Sequence, residues 1–214
     1  KKIVELNSIE EVFDNEFVVG ASVSGANLNR NSKFAKLWPG VLEAFRLIGS
    51  EQIQGRASLG GNLCNGSPAG DSVPALIAAG CKAVIAGPEG RKEIPIENFH
   101  LGPGKTILAN GQMLVSLKFP KRNKNSADAY LRMTPRTEMD IAVVGCGVNI
   151  SMENGICTDA RVSLGAVAPT PLLIKEATEI MVGSSLDEYT LDKVSKICMD
   201  ACNPIDDKRG TIDY

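Results

Sequence analysis

The chain has 214 residues, of which 43% are hydrophobic, 22% charged and 5% aromatic, and its formal net charge is −2. This length is enough for one or two domains, and the composition is typical of an ordinary globular protein with a buried core. The nearly balanced charge and the scarcity of aromatic rings disfavour a nucleic-acid partner, which would require a basic surface or base-stacking side chains.

The first part of the chain is predicted to form a turn, a strand and a helix. Ser8 and Glu11 have the spacing of a capping box, but the next turn signal follows too soon for a long helix, so we expect a turn there. The apolar run FVVGASVS, residues 17–24, predicts a strand. A helix is expected in LWPGVLEAFRLIG, residues 37–49, because Pro39 stands near its start and apolar residues recur at helical spacing.

The middle of the chain is predicted to contain a short helix followed by strands. The helix is DSVPALIAAG, with Asp71 or Ser72 as its cap and Gly80 at its end. The strands KAVIAG and RKEIPIENF flank the hairpin signal Pro88-Glu89-Gly90, and GQMLVSLKFP is a further strand.

The second half of the chain is predicted to be a separate α+β domain. The polar stretch KRNKNSADA, which starts at Lys121, marks a boundary between a domain of residues 1–120 and one of residues 121–214. The strands IAVVGCGVNISM and ICTDARVSLGAV flank Asn154-Gly155, the strongest hairpin signal of the chain, and ATEIMVGSSL and TLDKVSKICMDAC are predicted helices. Strands that precede helices indicate an α+β fold.

The G-x-G of VVGCGVNI, formed by Gly145 and Gly147, superficially indicates dinucleotide binding. A Rossmann unit needs a third glycine and a helix after it, whereas residues 152–155 read as a turn. We therefore interpret these glycines as part of a strand.

The cysteines and the single histidine argue against chemistry by side chains. The six cysteines are irregularly spaced, without a C-x-x-C, and only Cys198 and Cys202 share a helical face, so we expect reduced core thiols in the cytoplasm and no metal site. His100 alone cannot supply a multi-histidine metal site, and we expect a structural role for it. No apolar run approaches the length of a membrane span. We predict no catalytic residue in this chain, so that a cofactor supplies the reaction chemistry.

The loop RASLGGNLCNGSPAGD has the features of a ligand site. It contains no lysine after its glycines, which excludes a Walker-type phosphate loop. Gly60 and Gly61 would let the backbone approach a ligand and present N–H groups to phosphate or ring carbonyl oxygens. Asn62 can donate and accept at the edge of a heterocycle, and an ionised Asp71 accepts from ribose or ribityl hydroxyls. The alternative is a tight loop with no ligand.

Several segments resemble the FAD-binding medium subunits of molybdenum hydroxylases, the family of xanthine, carbon monoxide and nicotinate dehydrogenases. The segments are SLGGN followed by the aspartate of GNLCNGSPAGD, VVGASVS, GPGKTILANGQMLVSLKFP, AYLRMTPRTEMDIAVVGCGV and RGTIDY. The resemblance covers nearly the whole chain in order. It implies a FAD-binding middle domain of the vanillyl-alcohol oxidase type, followed by a C-terminal α+β domain like that of the carbon monoxide dehydrogenase flavoprotein.

The same resemblance implies the residues that contact FAD. The cofactor-binding set is Ser58, Leu59, Gly60, Gly61, Asn62, Asp71, Leu114, Arg132, Ile48 and Lys105. In this set Leu114 is the apolar contact, Arg132 stands where relatives place a basic residue close to the flavin, and Ile48 stands where some relatives carry an aromatic ring. The alternative for Arg132 is an ordinary surface ion pair with Glu138 or Asp140, without contact to a cofactor. The implied partners are a molybdopterin-binding large subunit and a small subunit with [2Fe-2S] clusters, and the implied electron acceptor is NAD or another molecule.

One departure and two alternatives accompany this prediction. Family members begin with a further subdomain whose A-G-G-T-D-type loop holds the pyrophosphate, and we expect this chain to lack that subdomain and to be truncated at its C-terminal end. One alternative is a flavin-free assembly module of the same fold. The other is a stand-alone flavin oxidase of the vanillyl-alcohol type, which would need tyrosine or histidine beside the ring.

Overall fold

The computed structural model describes residues 5–13, 16–136, 139–208 and 210–214, apart from the side chain of Phe13. The helices are α1 (Gly25–Arg30), α2 (Ser32–Leu37), α3 (Pro39–Arg46), α4 (Glu51–Gln54), α5 (Leu59–Cys64), α6 (Ser72–Ala78), a 3-10 turn (Ile96–Asn98), α7 (Lys175–Met181) and α8 (Glu188–Asp200). The strands are β1 (Ile9–Phe13), β2 (Glu16–Gly20), β3 (Lys82–Gly87), β4 (Gly90–Pro95), β5 (His100–Gly102), β6 (Lys105–Thr106), β7 (Met113–Phe119), β8 (Ser126–Met133), β9 (Val144–Glu153), β10 (Ile156–Gly165) and β11 (Leu172–Leu173). This mixture confirms the predicted α+β fold.

The first half is built on an antiparallel five-stranded sheet with the order β1-β2-β7-β3-β4. The helix α3 begins at Pro39, as predicted, and its apolar residues are buried against this sheet's core. Phe34 packs edge-on against Phe119, with ring centroids 4.9 Å apart, and Trp38 lies beside the same ring at 5.6 Å. The core therefore depends on the few aromatic residues of the chain.

The N-terminal turn prediction was wrong, because residues Ile9–Phe13 form β1 and pair with β2. The Ser8 hydroxyl donates to the carbonyl oxygen of Glu5 at 3.2 Å, so the predicted capping box does not open a helix. Pairing with β2, the next strand along the chain, satisfies the backbone of this polar segment, whose residue types gave no signal for a strand.

The second half is built on an antiparallel four-stranded sheet with the order β11-β10-β9-β8. Its centre is the predicted β9–β10 hairpin, whose turn places Asn154 at φ 51° and Gly155 at φ 80°. Both residues tolerate the left-handed conformation that such a tight turn requires. The amphipathic helices α7 and α8 pack on one face of this sheet and bury a second, smaller core.

The helix α6 lies between the two cores and holds the aspartate of the glycine-rich loop at its start. Every residue of α6 is buried, and the helix packs against α3, β9 and β10. Asp71 is at the N-cap position, but its side chain makes no capping hydrogen bond. The carboxylate is consequently available for contacts with other parts of the chain.

The polar stretch that was predicted to separate two domains contains a buried contact between them. Arg122 donates to Asp128 at 2.6 Å and to the carbonyl oxygen of Leu37, and its guanidinium lies 4.6 Å from the centre of the Trp38 ring. The division at residue 120 stays a prediction. Within the described ranges, no helix is both long enough and apolar enough to cross a membrane.

Candidate functional site

The predicted glycine-rich loop forms the start of the short helix α5. The hydroxyl of Ser58 accepts a hydrogen bond from the backbone N–H of Gly61 at 3.0 Å, and this contact caps the helix. Leu59 is 2% exposed and anchors α5 in the first core. The loop is therefore held rigidly by its own sequence, with Ser58 as the cap and Leu59 as the anchor.

The two adjacent glycines differ in what surrounds them. A Cβ on Gly60 would lie 2.4 Å from the carbonyl oxygen of Ala21, so the fold itself requires glycine at this position. A Cβ on Gly61 would meet only the Ser58 hydroxyl, at 3.1 Å, and Gly61 is exposed. Packing within the chain gives little reason for a glycine at position 61.

Two clefts flank α5. The first, which we call the glycine cleft, has a volume of about 340 Å³. It is lined by Ala21, Ser22, Ser58, Gly60, Gly61, Cys64, Leu108, Gln112, Met113 and Leu114. This cleft gathers four of the predicted site residues, and its walls combine backbone and hydroxyl groups with the apolar side chains of β7.

The second cleft, which we call the aspartate cleft, has a volume of about 330 Å³. It is lined by Leu47, Ile48, Gly49, Asn62, Asn65, Ser67, Ala69, Gly70, Asp71, Met139, Asp140 and Ile141. The predicted site residues Ile48, Asn62 and Asp71 meet here. Apolar walls with a few polar groups are typical of small-molecule sites, and both clefts have volumes within the usual range.

Asp71 is held by two residues of strand β8. The Tyr130 hydroxyl donates to Oδ1 of Asp71 at 3.1 Å, and Nη1 of Arg132 donates to Oδ2 at 2.9 Å. Burial raises the pKa of Asp71 above its usual value. The charge of Arg132 and the two hydrogen bonds favour the carboxylate and lower the pKa, but the effect of burial is larger. Each carboxylate oxygen thus has a donor from the same strand.

The Arg132 guanidinium lies behind Asp71 and does not line either cleft. Nη1 also donates to the carbonyl oxygen of Asp140 at 3.3 Å, and Nε is buried with no hydrogen-bond partner among the residues that the structure describes. The carboxylate of Asp140 is instead paired with Arg136. Glu138, the other acid considered as a partner for Arg132, lies outside the described residues, as does Arg209 of the RGTIDY segment.

Asn62 connects the two loops of the site. Its side-chain oxygen accepts hydrogen bonds from the Ser72 hydroxyl at 2.7 Å and from the Ser72 N–H at 3.3 Å. Because the oxygen is used in this way, the polar group that Asn62 has left for a ligand is its NH₂ donor.

The remaining predicted residues lie elsewhere. Lys105 is exposed on β6 and lines neither cleft. His100 bonds through Nε2 to the carbonyl oxygen of Leu63 at 2.7 Å, which ties β5 to α5. The six cysteines are free thiols, and the described residues contain no group of three or more potential metal ligands.

Sequence reasoning missed Tyr130, although one signal pointed to it. In β8 the residues Asp128, Tyr130 and Arg132 alternate with exposed apolar residues, which places all three on the inward face. A tyrosine and an arginine that share the inward face of a strand require polar partners, and Asp71 is the partner of both.

Comparisons with known proteins match both halves of the chain. The family model described as the FAD binding domain in molybdopterin dehydrogenase matches residues 1–122, and that of the CO dehydrogenase flavoprotein C-terminal domain matches residues 129–214. The chain is 29% identical over 213 residues to a xanthine dehydrogenase FAD-binding subunit of Escherichia coli O157:H7, across 99% of this chain and 73% of the relative.

Two further relatives support the same relationship. The carbon monoxide dehydrogenase medium chain of Afipia carboxidovorans is 30% identical over 200 residues, across 93% of this chain and 69% of the relative. A solved structure of carbon monoxide dehydrogenase from Hydrogenophaga pseudoflava superposes with a TM-score of 0.94 at 28% identity, across 99% of this chain and 73% of that one. These matches confirm the resemblance predicted from the sequence.

Proposed function

The chain belongs to the FAD binding domain family of molybdopterin dehydrogenases, and from that premise we propose that its two clefts hold one FAD molecule. In this proposal the chain is the flavoprotein subunit of a molybdenum-containing dehydrogenase. It accepts electrons from iron–sulfur clusters on a partner subunit and delivers them to NAD or another acceptor.

The observation that carries the proposal is the environment of Gly61. The fold explains Gly60 by a close backbone contact, whereas the missing side chain of Gly61 opens onto the glycine cleft. A glycine that the protein's own packing does not require is expected where a ligand approaches the backbone. Asn62 of the same helix lines the aspartate cleft, so α5 contributes to both clefts, which suits a long ligand with two different ends.

The polar groups of the aspartate cleft fit the flavin end of FAD. Asp71 offers carboxylate lone pairs to hydroxyl groups, and Asn62 offers its NH₂ to a ring carbonyl. Ile48 and Ile141 supply apolar walls on the same cleft. Nε of Arg132 is buried and has no hydrogen-bond partner among the described residues, so this donor is left for a further polar contact.

In this arrangement the protein binds, orients and shields the cofactor. When bound, FAD supplies the two-electron chemistry of the enzyme. Asp71 and Asn62 fix the orientation of the cofactor in the aspartate cleft. Leu114 and Met113 of β7 cover the part of the cofactor in the glycine cleft. Arg132 contributes a positive charge behind Asp71, which offsets the carboxylate's negative charge next to an electron-accepting ring.

The proposed partners follow from the relatives, which are a FAD-binding subunit of xanthine dehydrogenase and a medium chain of carbon monoxide dehydrogenase. We assign the molybdopterin to a large partner subunit, the [2Fe-2S] clusters to a small one, and the complex to the cytoplasm.

The test is to isolate the chain with its natural partners and to analyse each subunit separately. We expect flavin absorption and one FAD per copy of this chain, molybdenum and iron on the other subunits, and reduction of NAD or an artificial acceptor. Partners without flavin would favour the assembly module instead. Flavin without partners, together with direct oxidation of a substrate, would favour the stand-alone oxidase.

A further inference from the structure

Tyr130 is fixed in place by contacts on both its backbone and its side chain. The residue is 3% exposed, and its N–H donates to the Glu43 carboxylate of α3 at 3.0 Å. The strand β8 is at the edge of its sheet, so Glu43 satisfies a backbone donor that no strand pairs with on that side. The direction of the Tyr130 side chain is therefore set by the fold.

The hydroxyl of Tyr130 reaches an acceptor 59 residues away in the sequence. It donates to Oδ1 of Asp71 at 3.1 Å, while Arg132 holds Oδ2. Burial and the neighbouring Asp71 charge raise the pKa of Tyr130 well above its usual range, so the phenol stays protonated and remains a donor at every physiological pH.

The glycine pair that resembled a dinucleotide motif provides the space for this contact. A Cβ on Gly145 would lie 2.4 Å from the Tyr130 hydroxyl oxygen. A Cβ on Gly147 would lie 2.7 Å from the carbonyl oxygen of Pro74 in α6, the helix that Asp71 opens. Both glycines of β9 therefore leave room for the parts that bring Tyr130 and Asp71 together.

We infer that Tyr130 is a positioning residue, which holds the Asp71 carboxylate in the orientation that receives a hydroxyl group of FAD, with Gly145 as the clearance for its own hydroxyl. This inference rests on the proposed function. Without Tyr130, one carboxylate oxygen loses its donor and the carboxylate can rotate about its remaining bond to Arg132. The competing explanation is that Tyr130 only fills the core.

The test is a double-mutant cycle on FAD affinity. The complex containing the full chain is freed of flavin, and FAD is titrated back with flavin fluorescence as the readout. We expect Tyr130→Phe to weaken FAD binding by roughly tenfold, the effect of removing one hydrogen bond to a buried charge. In the Asp71→Ala background, the same substitution should have almost no effect, because the carboxylate that Tyr130 positions is gone.

Two further variants separate positioning from a general loss of stability. Thr178→Val removes a hydrogen bond of 2.8 Å to the Ala160 carbonyl in the second core, far from Asp71 in the sequence, and should leave FAD affinity unchanged. Gly145→Ala should weaken FAD binding as Tyr130→Phe does, because the added methyl group displaces the hydroxyl.

The outcomes distinguish this inference from the proposed function. If Asp71→Ala weakens FAD binding and Tyr130→Phe does not, or if the two effects simply add, Tyr130 is a core residue and the inference is wrong. If the unmodified complex takes up no FAD, the proposed function itself fails.

Discussion

At the scale of single residues, two residues of the same type in the candidate site can have different surroundings and different roles. Gly60 is required by the backbone of Ala21, whereas the position of Gly61 is open toward the glycine cleft. Asp71 and Asp140 both line the aspartate cleft, but Arg132 donates to the carboxylate of Asp71 and only to the backbone carbonyl oxygen of Asp140. The chemistry of the site depends on such distinctions.

The first prediction concerns Gly61, and Gly60 provides its control. Gly61→Val should abolish FAD occupancy in the assembled enzyme, with only a small change in melting temperature, because its side chain enters the glycine cleft rather than the core. Gly60→Val should lower the melting temperature strongly, because Ala21 leaves no space. Flavin absorbance and thermal unfolding of both variants provide the measurement. Full flavin retention in Gly61→Val would show that FAD does not bind in the glycine cleft.

A second prediction concerns the charge of Arg132. A buried guanidinium near the flavin would stabilise the negative charge that two-electron reduction adds, by about 1–3 kcal/mol. Since about 1.4 kcal/mol corresponds to roughly 30 mV for two electrons, Arg132→Ala should lower the flavin potential by some tens of millivolts. The matched Asp71→Asn/Arg132→Ala variant loses both charges and should return close to the unmodified potential.

Redox titration of the flavin-loaded complex decides this second prediction. An unchanged potential in Arg132→Ala would mean that the arginine serves only as the counter-ion of Asp71.

At the scale of secondary structure, the buried charged residues Arg122 and Asp128 of the second half form hydrogen bonds with the first half of the chain. Asp128 of β8 accepts from Arg122 at 2.6 Å and from the Val41 N–H of α3 at 3.2 Å. The Arg122 and Asp128 side chains are 5% and 4% exposed, so the pair is shielded from water. This contact fixes α3 against β8, the strand that carries Tyr130 and Arg132.

The third prediction follows from that burial. Arg122→Ala should lower the free energy of unfolding by about 3–5 kcal/mol, because it leaves the Asp128 carboxylate buried without its counter-ion. The control is Arg91→Ala, which breaks a solvent-exposed pair with Glu5 and should leave the unfolding curve nearly unchanged. Urea denaturation at neutral pH measures both effects.

The same variant has a defined pH dependence. Burial already raises the pKa of Asp128, and loss of Arg122 should raise it further. When the pKa of a carboxyl group is higher in the folded state than in the unfolded state, the group's contribution to stability is fully present at pH values below the unfolded-state pKa. That contribution is lost as the pH rises through the folded-state pKa. The defect of Arg122→Ala should therefore shrink in acid, and an equal or larger defect there would contradict this account.

At the scale of the whole molecule, two cores meet along α6 and the α3–β8 contact. The helix α6 packs on the second sheet and also belongs to the first core, so Asp71 is positioned by both halves of the chain. The aspartate cleft is likewise lined from both halves, with Ile48 and Asn62 from the first and Ile141 from the second. The second half is therefore part of the site and not only a support for it.

The amino-acid sequence by itself determined the local elements and the family. The β9–β10 hairpin follows from Asn154-Gly155, the start of α3 from Pro39, and the loop at Gly60-Gly61 from its own composition, because turns and caps depend on the dihedral preferences of adjacent residues. These signals require no knowledge of the rest of the molecule, and the loop that they predicted supplies residues to both clefts.

Only the tertiary structure decided which groups face one another. The bonds from Tyr130 and Arg132 to Asp71 and the close contact of Gly60 with Ala21 all join residues that are distant in sequence. Such contacts arise because buried polar groups must find partners wherever the packed cores bring them together. A periodic pattern predicts that Tyr130 points inward, but the identity of its partner depends on how α6 lies against β8 and β9.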